Sequence, residues 1–251
     1  GTLVPMTTVP TTPGPVSTTA LPTPAPTASP APPGTYAVQQ IGGKLKVTGS
    51  TTLLPIAQAA ADAYMEKNVK ADILVSGGGS GVGIQAIGDG TTDIGMTSRE
   101  ITAAETAKYP TLVTTDVATD AVVVIVNPSN PVSSLTLDQV RGLYNGTYQG
   151  WNAVGGSLTF PVVIGRDSAS GTRVYFSEAV MKNEKYRPEM REMNSNGAVK
   201  QAVAQTPAAI GYVGLGFIDS SVKAVAIYSK GKPVAPSIET VLAHEYPISR
   251  P

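Results

Sequence analysis

The chain has 251 residues, a formal net charge of zero and a hydrophobic share of 41%. This length and apolar content allow one compact domain or two small lobes around a real core, and the scattered basic residues exclude an electrostatic footprint for nucleic acid. The sequence has no cysteine and one histidine, His244, which excludes disulfides, thiol catalysis and almost every histidine-based metal centre. We therefore expect neither a metal nor a cofactor.

The first 35 residues contain ten of the 21 prolines and ten threonines but no charged residue. Proline favours an extended chain, and this composition is similar to that of O-glycosylated stalks that hold a domain away from a cell surface. Residues 1–38 are therefore predicted to form a disordered linker or stalk, with a disordered end without function as the alternative. Because residue 1 is glycine and the sequence has no long apolar run, we expect a processed product that a signal peptide or lipid anchor preceded.

From about Lys44 the pattern changes to short, β-rich apolar runs that alternate with helical segments, which predicts an α/β fold with largely parallel strands. The predicted strands are Leu45–Thr48, Ile73–Ser76, Asp93–Met96, Ala121–Val126, Val162–Gly165 and Ile210–Val213. The predicted helices are Leu53–Lys67, Val82–Gly88, Ala103–Lys108, Leu137–Tyr144, Thr172–Met181 and Ala198–Gln205.

Two connections are predicted to cross between lobes. The segment Asn127–Pro131 places two prolines after a β-branched run, and a second crossing is predicted after Gly214–Gly216. These crossings assign residues 39–126 and 215–251 to lobe I, and residues 127–214 to lobe II. Two lobes joined by two crossings form a hinge, so we expect a ligand cleft between them.

The first of three turns rich in Gly, Ser and Thr is Gly49–Thr52, between a predicted strand and a predicted helix. Free backbone N–H groups at a helix start, together with hydroxyl donors, form an anion site that needs no net positive charge. The alternative is ordinary N-capping of the helix by Ser or Thr.

The second turn, Ser76–Gly83, has five glycines in eight residues. Glycine leaves the backbone bare, so the turn is able to approach a ligand closely and form an amide-lined concavity. Residues 81–86 also fit the dinucleotide pattern G-x-G-x-x-A. That fit is weak, because its first glycine lies at the helix start and Asp93 begins the next strand instead of ending it.

The third turn, Arg166–Arg173, follows a predicted strand and opens a helix, and it offers two guanidinium groups, three hydroxyls and helix-start amides. A guanidinium fork matches two oxyanion oxygens at once, and the carboxylate of Asp167 is expected to hold the fork in position. The alternative is a surface salt bridge beside a capped helix.

A fourth strand end, Asp93–Glu100, adds further hydroxyls and the guanidinium of Arg99. Ligands of open α/β sheets lie beyond the carboxyl ends of the strands, which is where all four segments fall. A solvated Arg99–Glu100 pair at the start of the next helix is the alternative to a binding role.

In this order, the four segments resemble those of the phosphate-binding proteins of ATP-binding-cassette (ABC) phosphate uptake systems. The similarity runs from about Lys44 to Pro251 and includes Asn196–Val203 and Ala209–Val213. The resemblance implies a two-lobed periplasmic-binding-protein fold, similar to type II, with a hinge and an inter-lobe ligand cleft. It also implies a protein that closes on inorganic phosphate, delivers it to an ABC permease of the membrane, and is not catalytic.

Carried over by position, the resemblance implies a set of phosphate ligands. These are Thr51, Thr52 through its backbone amide, Ser80, Arg166, Ser170, Gly171 and Thr172, with Ser98 at a position where this chain departs from the family. The composition of the turns adds Arg99, Asp167 and Arg173 as expected supporting residues. At the position of Ser98, many family members carry an aspartate that accepts the proton of hydrogen phosphate and so rejects sulfate. A serine oxygen is able to accept that proton, but also to donate to a fully ionised anion.

The expected function is phosphate capture by an extracytoplasmic protein, in the periplasm or on the cell surface, tethered to the membrane through the N-terminal stalk. The alternative is a structural subunit of a surface assembly that self-assembles through the N-terminal tail or the C-terminus. The resemblance implies a last strand and C-terminal helices after Tyr246–Pro251, so either the chain is truncated or processed, or a neighbouring chain supplies that structure by strand addition. An enzyme is the third possibility. Neither a Gly-x-Ser-x-Gly elbow nor a P-loop is present to favour it.

Overall fold

The computed structural model describes residues 42–157 and 159–250. The predicted linker, residues 1–38, lies outside the described residues and stays a prediction. Within the described ranges, no helix has both the length and the apolar character that a membrane crossing requires.

The first half of the described chain forms a small parallel sheet with three helices. Its elements are β1 (Gly43–Gly49), α1 (Leu54–Lys67), β2 (Ala71–Ser76), α2 (Ser80–Gly88), β3 (Ile94–Met96) and α3 (Ala103–Lys108). The strand order is β2-β1-β3, and both pairings are parallel, with Val47 opposite Val75 and Ile94. Parallel strands end at the same edge of a sheet, so the turns that follow β1, β2 and β3 lie together there.

The second half of the described chain contains the larger sheet. Its elements are β4 (Asp120–Val126), β5 (Ser134–Leu135), α4 (Leu137–Asn145), β6 (Val162–Arg166), α5 (Gly171–Ala179), β7 (Arg191–Met193), α6 (Asn196–Ala204), β8 (Ala209–Gly214), β9 (Lys223–Ala224), β10 (Ala226–Ser229), β11 (Lys232–Val234), α7 (Ile238–Leu242) and β12 (Ser249–Arg250). The larger sheet has the order β12-β4-β8-β6-β7, with β9 paired to β4, and a smaller sheet has the order β11-β10-β5. Strands β7 and β8 run parallel to β6, whereas β8, β9 and β12 run antiparallel to β4.

The predicted elements agree closely with the structure. Each of the six predicted strands and six predicted helices is present, and every boundary lies within two residues of the predicted one. Parallel pairing holds in the first sheet and around β6, but not around β4. The elements that the sequence analysis missed are β5, β7, β9 to β12 and α7, which are two to five residues long. Segments as short as these carry no periodic hydrophobic pattern.

The structure corrects the predicted crossing at Asn127–Pro131. The side-chain amide of Asn127 donates to the carbonyl oxygens of Val203 and Ala204, at 3.1 and 2.8 Å, and so satisfies the C-terminal end of α6. The chain on both sides of this segment is buried in one hydrophobic core cluster. The segment therefore turns within the second half of the molecule and does not leave it.

The sheets also correct the predicted lobe boundaries. Strand β4, which the range 39–126 assigned to lobe I, pairs with β8 of the predicted lobe II. The strands between residues 223 and 250, also assigned to lobe I, pair with β4 and β5. The run Ala121–Val126 is fully buried, which places β4 at the centre of the larger core. We therefore set the boundary between the two halves near Asp120.

Most of the buried apolar side chains lie in the second half. The rings of Phe176 and Tyr212 stack there with their centroids 4.0 Å apart. The Tyr212 hydroxyl accepts a hydrogen bond from the backbone N–H of Arg166 at 3.2 Å, which fixes the carboxyl end of β6. The first sheet is covered less, since the side chains of Val69 and Leu74 are 80% and 64% exposed. The site described next thus has one densely packed half and one lightly packed half.

Candidate functional site

The first turn brings hydroxyl groups to the carboxyl edge of the small sheet. Gly49 has a φ of +142°, and a Cβ there would lie 2.2 Å from the carbonyl oxygen of Met96, so this close approach requires glycine. Helix α1 begins at Leu54 without a side-chain cap, which makes the N-capping alternative wrong. The N–H of Thr52 donates to Oγ of Ser50 at 3.2 Å, so the amide that was expected to bind a ligand is already paired.

The glycines of the second turn let the two halves of the molecule touch. Gly79 has a φ of +100°, and a Cβ there would lie 2.6 Å from the carbonyl oxygen of Ala169 in the third turn. The N–H of Gly81 donates to the same oxygen at 3.0 Å. Gly83 packs on Gly49, because a Cβ on Gly83 would lie 2.8 Å from the Gly49 Cα. The glycines thus serve contacts between backbones, and the dinucleotide alternative at residues 81–86 gains no support.

Two serines of the first half lie together at this contact. The N–H of Ser98 donates to Oγ of Ser80 at 3.0 Å, and the two Oγ atoms are 3.3 Å apart. Both side chains are buried. Gly171 of the third turn faces them so closely that a Cβ on it would lie 2.3 Å from the Ser80 Oγ. The predicted sites in the two halves are therefore brought together.

The third turn caps α5 and leaves two of its amides directed out of the helix start. The Oγ of Ser170 accepts a hydrogen bond from the backbone N–H of Arg173 at 3.2 Å, so its hydroxyl proton stays able to donate. Helix geometry leaves the N–H groups of Gly171 and Thr172 without an intrahelical partner, at the positive end of the helix dipole. The role of these residues as ligands stays a prediction.

Arg166 is the buried cation of the site, with 1% of its surface exposed. Its Nε donates to the carbonyl oxygen of Met193 at 3.1 Å and its Nη2 to that of Asn194 at 3.2 Å. These carbonyls at the end of β7, and not the Asp167 carboxylate, hold the fork, which corrects the prediction. Burial lowers the pKa of Arg166, while the charge of Asp167 raises it. The Asp167 Oδ1 is buried and has no hydrogen-bond partner among the described residues.

The two arginines that were predicted to support the site, Arg173 and Arg99, each form a salt bridge with a glutamate. Arg173 donates through Nη1 to the Arg166 carbonyl oxygen at 2.5 Å and pairs with Glu192, so a surface salt bridge describes Arg173 correctly. Arg99 donates to both carboxylate oxygens of Glu105, at 2.8 and 2.7 Å. This hydrogen bonding from Arg99 lowers the pKa of Glu105 to about 2. Arg99 thus forms an ion pair at a helix start, as the alternative interpretation expected, but its partner is Glu105 and not Glu100.

Threonine hydroxyls from both halves meet around one asparagine. The Oγ1 atoms of Thr52 and Thr172 are 3.2 Å apart. The Nδ2 of Asn196 donates to Oγ1 of Thr51 and of Thr52, at 3.1 Å each, and its Oδ1 accepts from the backbone N–H of Gly214 at 3.1 Å. Since Asn196 donates to these oxygens, the Thr51 proton remains available to an acceptor, and so does one of the two protons of the Thr52–Thr172 pair.

Three residues of this cluster were missed by the sequence analysis as site residues. Asn196 opens α6 directly after β7, so the strand-to-helix pattern that identified the other turns was available for it as well. Asp120 and Arg250 form a salt bridge at 2.9 Å beside the paired threonines. Their strand pairing joins residues 130 positions apart in the sequence, and no local pattern marks it.

The polar groups of this cluster are mainly hydrogen-bond donors. Hydroxyls, helix-start amides and a buried guanidinium converge from both halves, which suits an acceptor-rich anion. In residues 42–157 and 159–250, no group of three or more His, Asp or Glu side chains is placed to hold a metal ion. His244 is exposed.

A family model described as a PBP superfamily domain matches residues 30–251. The chain belongs to the PBP superfamily. It is PstS-like, because it is 31% identical to the phosphate-binding protein PstS of Bacillus subtilis, with 84% of this chain and 69% of that protein covered. The phosphate-binding protein PstS of Pseudomonas aeruginosa is 30% identical, with 84% and 71% of the two chains covered.

Solved structures extend this similarity to the fold. A Clostridium perfringens structure, described as a phosphate ABC transporter substrate-binding protein with bound phosphate, matches with a TM-score of 0.78 and 33% identity, covering 83% of this chain and 84% of that one. An ABC-type phosphate transport receptor from Vibrio cholerae matches with a TM-score of 0.65 and 32% identity, covering 83% and 85%. The chain therefore has the two-lobed fold of this superfamily, and the predicted fold class is confirmed.

Proposed function

We propose that this PstS-like chain captures inorganic phosphate outside the cytoplasm and delivers it to an ABC permease. The observation that carries the proposal is the convergence of donors from both halves. Thr52 lies against Thr172, and Ser80 and Ser98 lie against Gly171, while the buried Arg166 begins the same turn as Gly171 and Thr172. The relatives named for phosphate binding and the structure described with bound phosphate support the choice of anion.

The donor set matches the needs of a tetrahedral oxyanion. Phosphate oxygens only accept hydrogen bonds once the anion is ionised, and an anion that loses its water shell requires a donor for each oxygen. Arg166 uses two of its five N–H groups on backbone carbonyls, which leaves three for a ligand. Hydrogen bonds from a guanidinium to an anion are about twice as strong as those between neutral groups.

We further propose that the chain binds and releases phosphate without chemical change. Serine and threonine hydroxyls need an adjacent base to become nucleophiles. In the described part of the chain, the hydroxyls of Ser80, Ser98, Thr52 and Thr172 are paired with each other or with amide and guanidinium donors. Attachment through the N-terminal stalk to the membrane surface belongs to the same proposal.

A second candidate function, a subunit of a surface assembly, is favoured by one feature of the first sheet. Leu74 on β2 is 64% exposed and Ile94 on β3 is 46% exposed, and Val69 in the preceding connection is 80% exposed. Leu74 and Ile94 lie on opposite faces of the sheet, because they pair with the consecutive residues Lys46 and Val47 of β1. An exposed apolar side chain such as Leu74 is open to contact with another chain. The two functions are compatible, because these side chains do not belong to the donor cluster.

Titration calorimetry with inorganic phosphate tests the main proposal, on protein first stripped of bound anions by unfolding and refolding. We expect saturable binding by the original chain and a loss of about 30-fold or more in Arg166→Ala, because removing one partner of a buried charged pair costs about 2–5 kcal/mol. Arg191→Ala removes an exposed arginine and serves as the matched control. Thermal unfolding reports whether Arg166→Ala is folded. No binding of phosphate by the original chain, with clear binding of sulfate, would overturn phosphate as the ligand.

A further inference from the structure

Arg250, on the short strand β12, is a second buried arginine beside the donor cluster. Only 3% of its surface is exposed. It lies directly opposite Asp120 in the antiparallel pairing of β12 with β4, and its Nη2 donates to Oδ2 of Asp120 at 2.9 Å. A salt bridge between opposite residues of two strands ordinarily serves the sheet alone. The remaining contacts of Arg250 indicate more than that.

The Nη2 of Arg250 also reaches hydroxyls of both halves. It lies 3.0 Å from Oγ1 of Thr172 and 3.4 Å from Oγ1 of Thr52. Because a guanidinium only donates, it occupies oxygen lone pairs and leaves the hydroxyl protons free to point elsewhere. Arg250 therefore occupies a lone pair on Thr172, as Asn196 does on Thr51 and Thr52, and one proton of the Thr52–Thr172 pair is left to point to a ligand.

The Nη1 of Arg250 is buried and has no hydrogen-bond partner among the described residues. A buried charged nitrogen without an acceptor is costly, so native structures rarely leave one unpaired. The buried guanidinium of Arg166 is near enough to repel that of Arg250. Burial is the main cause that lowers the pKa of Arg166, the charge of Asp167 raises it, and the charge of Arg250 lowers it further. An anion between the two guanidinium groups would satisfy the free nitrogen and relieve this repulsion.

We propose that Arg250 is a second cationic ligand of the anion, donating from Nη1, and that Asp120 is the positioning residue that orients it. Asp120 is itself held by the backbone N–H of Leu215, which donates to its Oδ1 at 3.1 Å. The carboxylate thus fixes the guanidinium with its Nη2 against the threonines. This inference rests on the proposed function, because it assigns a ligand to the same site.

The test compares phosphate titrations of Arg250→Gln, Arg250→Lys and the double variant Asp120→Asn/Arg250→Gln with that of the original chain. The double variant avoids leaving a buried carboxylate unpaired, so it stays folded if the single variant does not, and thermal unfolding checks both. We expect a loss of phosphate affinity of about 30-fold or more in both glutamine variants. Arg250→Lys keeps the charge but not the fork, so it should recover part of that loss. Arg191→Gln, the same change at an exposed position, should bind as the original chain does.

If the glutamine variants bind phosphate within threefold of the original chain while their unfolding temperature falls, the salt bridge serves only the sheet and the inference is wrong. If lysine recovers nothing relative to glutamine, the cationic role is wrong. If the original chain binds sulfate but not phosphate, the proposed function is wrong while the role of Arg250 stays open. Sulfate titrations of the same Arg250 variants then decide that role. If it binds neither anion, both proposals fail.

Discussion

The contact between the two halves can be tested at Gly171, the first residue of α5. A Cβ added there would lie 2.3 Å from the Ser80 Oγ, 2.9 Å from the Ser80 Cβ and 3.0 Å from the Ser98 Oγ. Carbon atoms in contact are normally about 3.5–4.0 Å apart, so the Ser80 Cβ would have to retreat by more than half an ångström. A rotation of the Ser80 hydroxyl does not relieve this, because the Cβ belongs to the start of helix α2.

Gly171→Ala should therefore weaken anion binding without weakening the fold. Overpacking of a close contact costs about 1–3 kcal/mol, which corresponds to a loss of affinity of roughly 5- to 150-fold. The backbone of Gly171 is not left-handed, and alanine is favoured over glycine in a helix by about 1 kcal/mol. If the halves separate slightly, the variant keeps its stability and loses only the contact that binding requires.

Gly197→Ala is the matched control. Gly197 also lies at a helix start, in α6, and a Cβ there would meet no atom within 4 Å. Phosphate titration and thermal unfolding of both variants, with and without phosphate, give the comparison. Equal phosphate affinity of Gly171→Ala and Gly197→Ala would refute the reasoning, since it would mean that binding does not need Ser80 and Gly171 in contact.

Two further predictions concern the first half. Glu105 accepts from Arg99 and from the N–H and hydroxyl of Thr102, and these hydrogen bonds lower its pKa from the usual 4.5 to about 2. Because the folded-state pKa is the lower one, its contribution to stability is present above pH 4.5 and is lost as the pH falls towards 2. Urea unfolding should show Glu105→Gln less stable by about 1 kcal/mol at neutral pH, with the difference shrinking over that range; a constant difference would contradict this. For the surface assembly, light scattering should detect oligomers that Leu74→Lys disperses, whereas only monomers at high concentration would count against it.

The sequence predicted the regular elements well, because each has either an apolar run or a helical pattern of its own. The apolar run Ala121–Val126 predicted a buried strand, and in the structure this strand is fully buried. The same run could not reveal its neighbours, since β12 contributes only Ser249–Arg250 to the pairing. The crossing at Asn127–Pro131 was wrong for a related reason: prolines mark where a strand ends, but not on which side of a cleft the chain continues.

Within the site, residues on turns after long strands were the predictable ones. Ser80 and Ser170 could be predicted because each lies in a turn rich in Gly, Ser and Thr at the start of a helix. Asn196 also follows a strand and opens a helix, but its contacts and those of Arg250 join residues distant in sequence, which no local pattern shows. The Asn196 contact with Thr51 spans 145 positions, and the Arg250 contact with Thr172 spans 78. The expected pairing of Arg166 with its neighbour Asp167 failed for the converse reason, since proximity in sequence did not make them hydrogen-bond partners.

Because the chain has a net charge of zero, only groups that lie close to the anion can attract it, and the geometry indicates which groups these are. Long-range steering is weak without net charge, so affinity has to come from contacts made at close range in a site that excludes water. Serine and threonine hydroxyls can donate or accept, and such an ambivalent array would not select an anion by itself. Amide and guanidinium groups behind the threonines remove that ambivalence by occupying the oxygen lone pairs. Because the donors come from both halves, we expect that neither half pairs all the oxygens alone and that selectivity for a tetrahedral anion depends on their contact.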